Sequence, residues 1–334
     1  MDFSREQGLT NRFFWAWALM AAAIMASFLI GRYPSPYITI PTDLKADPLL
    51  LNILVNLRLP RILSAFFLGM VLSASGMVFQ MIFRNPLVDS GFLGVSSGAA
   101  FGASLAIVAL GGAALTVQGC AAAFACLGLL SSYILARRIR FGGWVLRLVL
   151  AGIAVSALYT SGTGVLKYMA DPLRQLPDIT FWMLGGLWGI TWKDMLHMLP
   201  VALPSLCVIY LMRWRLNLLS MRDETAFSLA ERPGRERLIL LGAAVVSTAV
   251  VVAKAGQISW VGLIVPHIAR KIFGSDARRA LPASLMIGGL FVLLCDDAAR
   301  TVLTGEIPLG ILTSFIGAGL FLVLFMTMKI RVSK

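Results

Sequence analysis

The sequence predicts an all-α protein that crosses a membrane several times. Apolar runs of about 20 residues, the length of a helix that spans a bilayer, recur along the whole chain. Only 13% of the 334 residues are charged, and the mean hydropathy is +0.84. Lys and Arg are concentrated in alternate loops between these runs, as the positive-inside rule expects of a polytopic protein. An ordinary soluble globule is therefore excluded.

Ten apolar segments are candidate transmembrane helices. The first exceeds the core of a signal peptide, about 7 to 15 residues, so we expect it to remain as a span. The eighth is the shortest. We find no soluble domain and no internal repeat, and we expect one transmembrane domain over residues 1–334. The candidate spans are residues 13–31, 60–83, 92–110, 114–136, 144–167, 195–213, 236–255, 259–273, 280–303 and 308–328.

The distribution of basic residues predicts the orientation of the chain. If the N-terminus is inside, 20 of the 29 Lys and Arg residues share the cytoplasmic side. Both termini and segment 214–235 are then cytoplasmic, and loops 32–59 and 168–194 are periplasmic. The net charge of +13 follows from this topology, so no nucleic-acid partner is needed to explain it.

The polar stretch from Arg213 to Arg237 is the longest predicted cytoplasmic segment. Ser220 can cap a short helix whose first turn carries Asp223 and Glu224, and Pro233 follows its end. A helix of about 11 residues is unstable alone in water, so it would need a partner surface. The alternative is an ordinary solvated loop.

A polar stripe runs down one face of the fifth predicted span. It contains Ser156, Thr160, Thr163 and Lys167, which follow the helical period. Such a stripe either mediates contact between helices or lines a water-filled path. If it lines a path, Lys167 favours an anionic cargo.

Charged residues near the predicted outer surface form two further candidate groups. Asp296 and Arg300 are spaced for a helical ion pair, and Asp297 has no evident partner in the sequence. This pair is either structural or functional. Arg58 and Arg61, where the outer loop enters the second span, are either interfacial anchors or a docking point for an acidic partner.

The sequence lacks one catalytic signature and contains another. The chain has no Walker A sequence, so ATP hydrolysis would need a separate chain. The segment from Gly94 to Gly98 matches Gly-x-Ser-x-Gly, but it begins a lipid-embedded helix instead of following a strand. An intramembrane serine protease using Ser96 and His267 remains an alternative. No metal site is predicted, because the histidines and cysteines lack ligand spacing.

Several motifs in fixed order resemble the FecCD-type permeases of ATP-binding-cassette (ABC) importers. The resemblance covers nearly the whole chain. The matching residues are Arg58-Leu-Pro-Arg61, Gly76, Gln80, Arg84-Asn85-Pro86-Leu87, Gly91-Phe-Leu-Gly94-Val-Ser-Ser-Gly98, Phe181-Trp182-Met-Leu-Gly185, Asp223-Glu224-Thr225-Ala226, Val261-Gly262-Leu-Ile-Val-Pro266-His267-Ile-Ala-Arg270 and Pro308-Leu-Gly310.

The resemblance implies an ABC importer type II permease fold in a bacterial inner membrane. The chain would form a homodimer, bind two cytoplasmic ATPase subunits and receive cargo from a periplasmic binding protein. The expected cargo is a metal chelate, such as an iron-siderophore or haem complex, with cobalamin or a molybdate-type oxyanion as alternatives. The chain would be a transport subunit and not an enzyme. It would hold no cofactor, because ATP and Mg would bind the ATPase.

The resemblance also assigns residues to roles. Arg58, Arg61 and Arg300 would dock the binding protein, and Asn85 and Leu87 would line the cytoplasmic gate. The residues expected to couple to the ATPase are Leu218, Met221, Asp223, Glu224, Thr225, Ser228 and Leu229. The chain departs from the family at Ala230, where members carry glycine, and in the Pro233 that follows. The turn after the coupling helix is therefore expected to differ.

Overall fold

The computed structural model describes residues 3–31, 33, 48–89, 91–221 and 233–327, and in these ranges the protein is built from helices. The helices are α1 Phe3–Leu29, α2 Pro48–Asn52, α3 Leu59–Phe83, α4 Val95–Ala109, α5 Ala114–Arg138, α6 Trp144–Met169, α7 Gln175–Leu184, α8 Trp192–Leu211, α9 Arg213–Leu219, α10 Pro233–Ala255, α11 Val261–Phe273, α12 Ala277–Thr301 and α13 Leu309–Thr327. A π-helical segment, Ile53–Arg58, joins α2 to α3.

Every predicted apolar segment falls on a helix. Within the described ranges, six helices are long and apolar enough to cross a membrane: Leu49–Phe83, Ala114–Arg138, Trp144–Met169, Trp192–Leu211, Pro233–Ala255 and Ala277–Thr301. Shorter apolar helices cover Phe13–Leu29, Val95–Ala109 and Leu309–Leu324. The prediction of a multi-pass helical bundle is confirmed in this form. The count of ten crossings stays a prediction.

The second predicted span begins earlier than expected. Pro60 is a typical residue for the first turn of a helix and predicts a start at that point. The helix instead continues back through the π-helical segment, in which the Leu59 N–H donates to the Leu54 carbonyl oxygen. A wide π turn accommodates a residue that lacks an amide hydrogen. The end of the predicted loop 32–59 is therefore helical.

The helix pair α3 and α12 forms the centre of the bundle. A Cβ atom added at Gly69 would collide with the Gly288 carbonyl group, so the two backbones touch. Beside this contact, the Ser73 hydroxyl donates to the Ser284 carbonyl oxygen at 2.8 Å. Small residues permit this approach, which supplies the close packing that holds helices together in lipid.

The chain following α8 differs from the prediction. The predicted span 195–213 ends at Leu211, and a separate helix, α9, begins at Arg213. Ser220 follows α9 as its C-terminal cap residue, and its hydroxyl donates back to the Asn217 carbonyl oxygen at 2.7 Å. The helix predicted to begin after Ser220 lies outside the described residues. Of the predicted coupling residues, Leu218 and Met221 are described. The others lie outside the described residues: Asp223, Glu224, Thr225, Ser228 and Leu229, together with Ala230.

Candidate functional site

The three arginines predicted to dock a binding protein lie together. Arg58 ends the π-helical segment, Arg61 is in the first turn of α3, and Arg300 is in the last turn of α12. With Glu306 and Tyr33 they line a cleft of about 340 Å³, which we call the arginine cleft. Segments that are about 240 residues apart in sequence therefore line one cleft.

Arg61 is held by two carboxylates of its own chain. Its Nε and Nη2 atoms donate to the Asp296 carboxylate at 2.9 to 3.1 Å. Its Nη1 atom donates to both oxygens of Glu306 at 3.0 Å. The side chain of Asp296 is fully buried, whereas that of Glu306 is 30% exposed. Only Glu306 is therefore accessible to competition from an incoming acidic group.

The predicted ion pair of Asp296 with Arg300 is present at 3.9 Å, but the hydrogen bonds of Arg300 go to other partners. Arg300 pairs with Asp297, and its Nη2 atom also donates to the Ser27 hydroxyl at 2.9 Å and carbonyl oxygen at 2.8 Å. Its Nε atom is 3.9 Å from Asp296. Asp297, which had no evident partner in the sequence, also accepts the Ser27 hydroxyl at 2.6 Å. The two aspartates have different partners because they lie on different faces of α12, with Asp296 facing α3 and Asp297 facing α1.

Arg58 holds the end of α1. Its guanidinium donates to the carbonyl oxygens of Phe28, at 3.1 Å, and Tyr33. Only 6% of the residue is exposed. A Cβ atom at Gly31 would collide with this guanidinium, so the glycine makes room for it. Both predicted roles, interfacial anchor and docking residue, place the Arg58 guanidinium at the surface. The structure instead buries Arg58.

The polar stripe of α6 faces a second cavity, of about 520 Å³. Its opposite wall is formed by the start of α4, and Gln257 closes one side. We call it the hydroxyl cavity. The Thr163 hydroxyl donates to the Tyr159 carbonyl oxygen of its own helix at 2.8 Å. The polar residues of the wall are Ser96, Ser97, Ser156, Thr160, Thr163, Lys167 and Gln257.

The predicted gate residues lie in the turn after α3. Arg84 adopts a left-handed conformation, and the Asn85 N–H donates to the Gln80 carbonyl oxygen at 3.1 Å. The Asn85 side-chain oxygen then accepts the Leu87 N–H at 2.9 Å. Both residues are exposed. The turn is thus fixed at its base and presents Leu87 at its tip, and the gate role stays a prediction.

The base of this turn is fastened to α11. The Gln80 amide nitrogen donates to the carbonyl oxygens of Gly262 and Leu263 at 3.1 and 3.0 Å. The Gln80 amide oxygen accepts a hydrogen bond from the Arg270 guanidinium. Sequence reasoning assigned Gln80 and Arg270 no role. Gln80 and Arg270 contact each other across 190 residues of sequence. Spacing could not predict this contact, and both residues were noted only because they belong to the family motifs.

A second link joins α9 to the start of α12. The Asn217 amide donates to Asp276 at 2.6 Å, and its oxygen accepts the Ala277 N–H at 2.9 Å. Asp276 caps α12 by accepting the Arg278 N–H at 2.9 Å. Partial burial opposes the charged form of Asp276, but the bonds from Arg278 and Asn217 outweigh it and lower the pKa of the carboxyl. An Asp before an amphipathic segment is a cap signal that could have revealed this link.

The structure offers no support for a serine protease. Ser96 and His267 lie on α4 and α11, and no hydrogen bond joins them in the described ranges. The Ser96 carbonyl oxygen accepts the Gln257 amide at 2.9 Å. An activated serine needs its base within hydrogen-bonding reach, and this geometry lacks one.

A bundle of apolar helices with polar cavities between them defines a multi-pass membrane protein. Comparison with known proteins supplies the family. The chain belongs to the FecCD transport family, which it matches over residues 19–327.

Curated relatives and a solved structure match most of the chain. A probable iron chelatin transport system permease protein of Helicobacter pylori is 39% identical over 272 residues, 81% of each chain. The molybdate import system permease protein MolB of Haemophilus influenzae is 35% identical over 337 residues, 93% of this chain and 94% of the relative. An inward-facing ABC transporter described as of metal-chelate type superposes with a TM-score of 0.86 at 34% identity, covering 96% of this chain and 100% of that one.

Proposed function

We propose that this chain is the transmembrane permease subunit of an ATP-driven importer that moves a metal chelate from periplasm to cytoplasm. The observation that carries the proposal is the structural match over 96% of the chain to a metal-chelate type ABC transporter. The cargo we favour is an iron-siderophore or haem complex, because a relative of 39% identity is named for iron chelatin transport. Cobalamin is a further cargo of the same class.

The proposed assembly contains two copies of this chain, two cytoplasmic ATPase subunits and a periplasmic binding protein. It sits in a bacterial inner membrane with ten spans per chain and both termini in the cytoplasm, as the distribution of Lys and Arg favours. ATP and Mg bind the ATPase, and this chain carries out no covalent chemistry.

The geometry suggests how movement at the ATPase reaches the outer surface. The segment after α9 is the proposed contact with the ATPase, and Asn217 fastens α9 to the start of α12. The other end of α12 carries Asp296 and Arg300 in the arginine cleft. A rigid helix fixed at both ends transmits displacement without bending, which suits rigid-body rocking of the spans.

A second candidate is the permease of a molybdate-type oxyanion importer. It is favoured by the Haemophilus influenzae relative, whose match extends over 93% of this chain. The two candidates share the same machinery and differ in the cargo that the binding protein delivers.

Reconstitution tests the proposed function. We expect proteoliposomes containing this chain, its ATPase and its binding protein to take up radiolabelled ferric chelate or molybdate when ATP is supplied. Replacing the Walker A lysine of the ATPase should abolish uptake, whereas an ionophore that dissipates ion gradients or His267→Gln in this chain should leave it unchanged. Uptake that persists with the inactive ATPase, or that collapses with the ionophore, contradicts the proposal.

Docking at the arginine cleft has its own test. Glu306 occupies the Nη1 edge of Arg61, so it competes with any acidic residue of the binding protein. We expect Glu306→Gln to tighten the complex about threefold to tenfold at low salt, measured by surface plasmon resonance on the permease in nanodiscs. Asp178→Asn removes the same charge from α7 and is the matched control. Equal gains in both variants, or none, contradict docking through Arg61.

A further inference from the structure

The hydroxyl cavity contains a single ionisable side chain, that of Lys167. Lys167 is half-buried near the end of α6 and forms no ion pair or hydrogen bond with the part of the chain that the structure describes. A cation in a membrane-spanning segment is costly unless water or an opposite charge compensates it. Its position in the wall of a cavity indicates that the compensating group enters from the cavity.

One hydroxyl group on the opposite wall also lacks a partner. The Ser97 Oγ atom is fully buried and has no hydrogen-bond partner among the described residues. Buried hydroxyls are nearly always satisfied, so an unsatisfied one in a cavity wall indicates a missing ligand or water. Ser96 and Ser97 lie in the first turn of α4, where the helix dipole favours negative charge.

The remaining wall offers no compensating negative charge. No carboxylate is among the lining residues, and Asp89, which accepts the Gly91 N–H at 3.0 Å, lies outside the lining. The Gln257 amide nitrogen is engaged by the Ser96 carbonyl oxygen at 2.9 Å. What the cavity presents is therefore an ammonium group, the Ser97 hydroxyl and the first turn of α4. A metal cation would need carboxylates, and an apolar ligand would leave Lys167 uncompensated.

We infer that the hydroxyl cavity binds an anionic group of the cargo, a carboxylate, phosphate or inorganic oxyanion, through Lys167 and the Ser97 hydroxyl. The volume of about 520 Å³ is sufficient for a small oxyanion or for the acidic part of a larger chelate. The transport role rests on the proposed function, but anion binding in the cavity does not. Lys167 is then a residue that selects cargo by charge during passage.

The main alternative is that Lys167 extends towards lipid headgroups and contributes nothing to the cavity. A charge-selective reaction inside the cavity distinguishes the two. Thr160 is an exposed wall residue, and Thr160→Cys places a thiol there after Cys120, Cys126, Cys207 and Cys295 are replaced by serine. The full chain, in complex with its ATPase, is then treated with an anionic or a cationic methanethiosulfonate reagent of similar size.

We expect the anionic reagent to react with the Thr160→Cys protein about tenfold faster than the cationic one, relative to their rates with a small free thiol. Lys167→Gln should abolish this preference, and Lys167→Arg should retain it. Lys193→Gln is the matched control, because it removes the same charge from an exposed lysine at the start of α8, outside the cavity. It should leave the preference intact.

Protection by an anion completes the test. Molybdate or citrate should slow the modification of the Thr160→Cys protein, and chloride at equal ionic strength should not. Protection should be lost in Lys167→Gln and weakened in Ser97→Ala. Absence of charge preference, or a preference that survives Lys167→Gln, overturns the inference. These rates require no ATP, so a failure here and a failure of ATP-driven uptake are distinguishable.

Discussion

Asp296→Asn is expected to cost about 3 to 5 kcal/mol of folding free energy. The Asp296 side chain is fully buried and accepts three hydrogen bonds from Arg61. Asparagine keeps the shape of the side chain but removes its charge, so the Arg61 guanidinium, only 14% exposed, loses its buried counterion. Glu306 still contacts Arg61, but it is 30% exposed, so the cost arises chiefly from the loss of the buried partner of the pair. The measurement is the free energy of unfolding of the purified protein in mixed micelles, by titration with sodium dodecyl sulfate.

Glu306→Gln is the matched control for this effect. It removes a carboxylate that contacts the same arginine at a similar distance but is 30% exposed. Pairs that water can reach contribute about 0 to 1 kcal/mol, so this variant should lose no more than that. If both variants lose the same free energy, burial of the Asp296 pair is not what stabilises the outer end of α12.

The position of each long apolar helix was predictable because the signal is local. A segment of about 20 apolar residues must be helical in lipid, and each of the ten predicted segments lies on a helix. The start of α3 was predicted to within one residue, but the helical segment that precedes α3 was missed, because Pro60 favours a helix start at that point. Only the π-helical segment before it reveals that the backbone accommodates the proline and continues.

The partners of the charged residues were not predictable. Spacing along α12 predicted the pair of Arg300 with Asp296 but gave Asp297 no partner, and the closer pair of Arg300 with Asp297 depends on how α12 is rotated against α1 and α3. That rotation is set by contacts far apart in sequence, such as Ser27 with Arg300. The resemblance to the FecCD-type permeases, in contrast, is confirmed by the family match over residues 19–327.

One wall of the hydroxyl cavity was predictable from the sequence, and the opposite wall was not. The helical period placed Ser156, Thr160, Thr163 and Lys167 on one face of α6, and that face does line a cavity. The opposite wall is formed by the start of α4, and its contribution depends on how two separate helices pack. In the sequence, the Ser96 segment was interpreted only as part of the FecCD-type motifs and of an alternative catalytic site.

Gly288→Val is expected to destabilise the protein by about 1 to 3 kcal/mol. A Cβ atom at this position would collide with the Ser73 hydroxyl and the Gly69 carbonyl oxygen. The Gly69 carbonyl oxygen belongs to the backbone and cannot rotate away, so α3 and α12 must separate. Separation also removes contacts along both helices, which close packing in lipid depends on. The measurement is again the free energy of unfolding in mixed micelles.

Gly242→Val on α10 isolates the effect of the collision. Both variants exchange glycine for valine within a helix, so the change in intrinsic helix propensity is shared. A Cβ atom at Gly242 meets nothing within 4 Å, so this variant should be neutral or stabilising. Because α3 carries Arg61 and α12 carries Asp296, separation at Gly288 should also weaken their pair. Combining Gly288→Val with Asp296→Asn should then cost less than the sum of the two single changes, whereas strict additivity would mean that the helix crossing and the arginine cleft are independent.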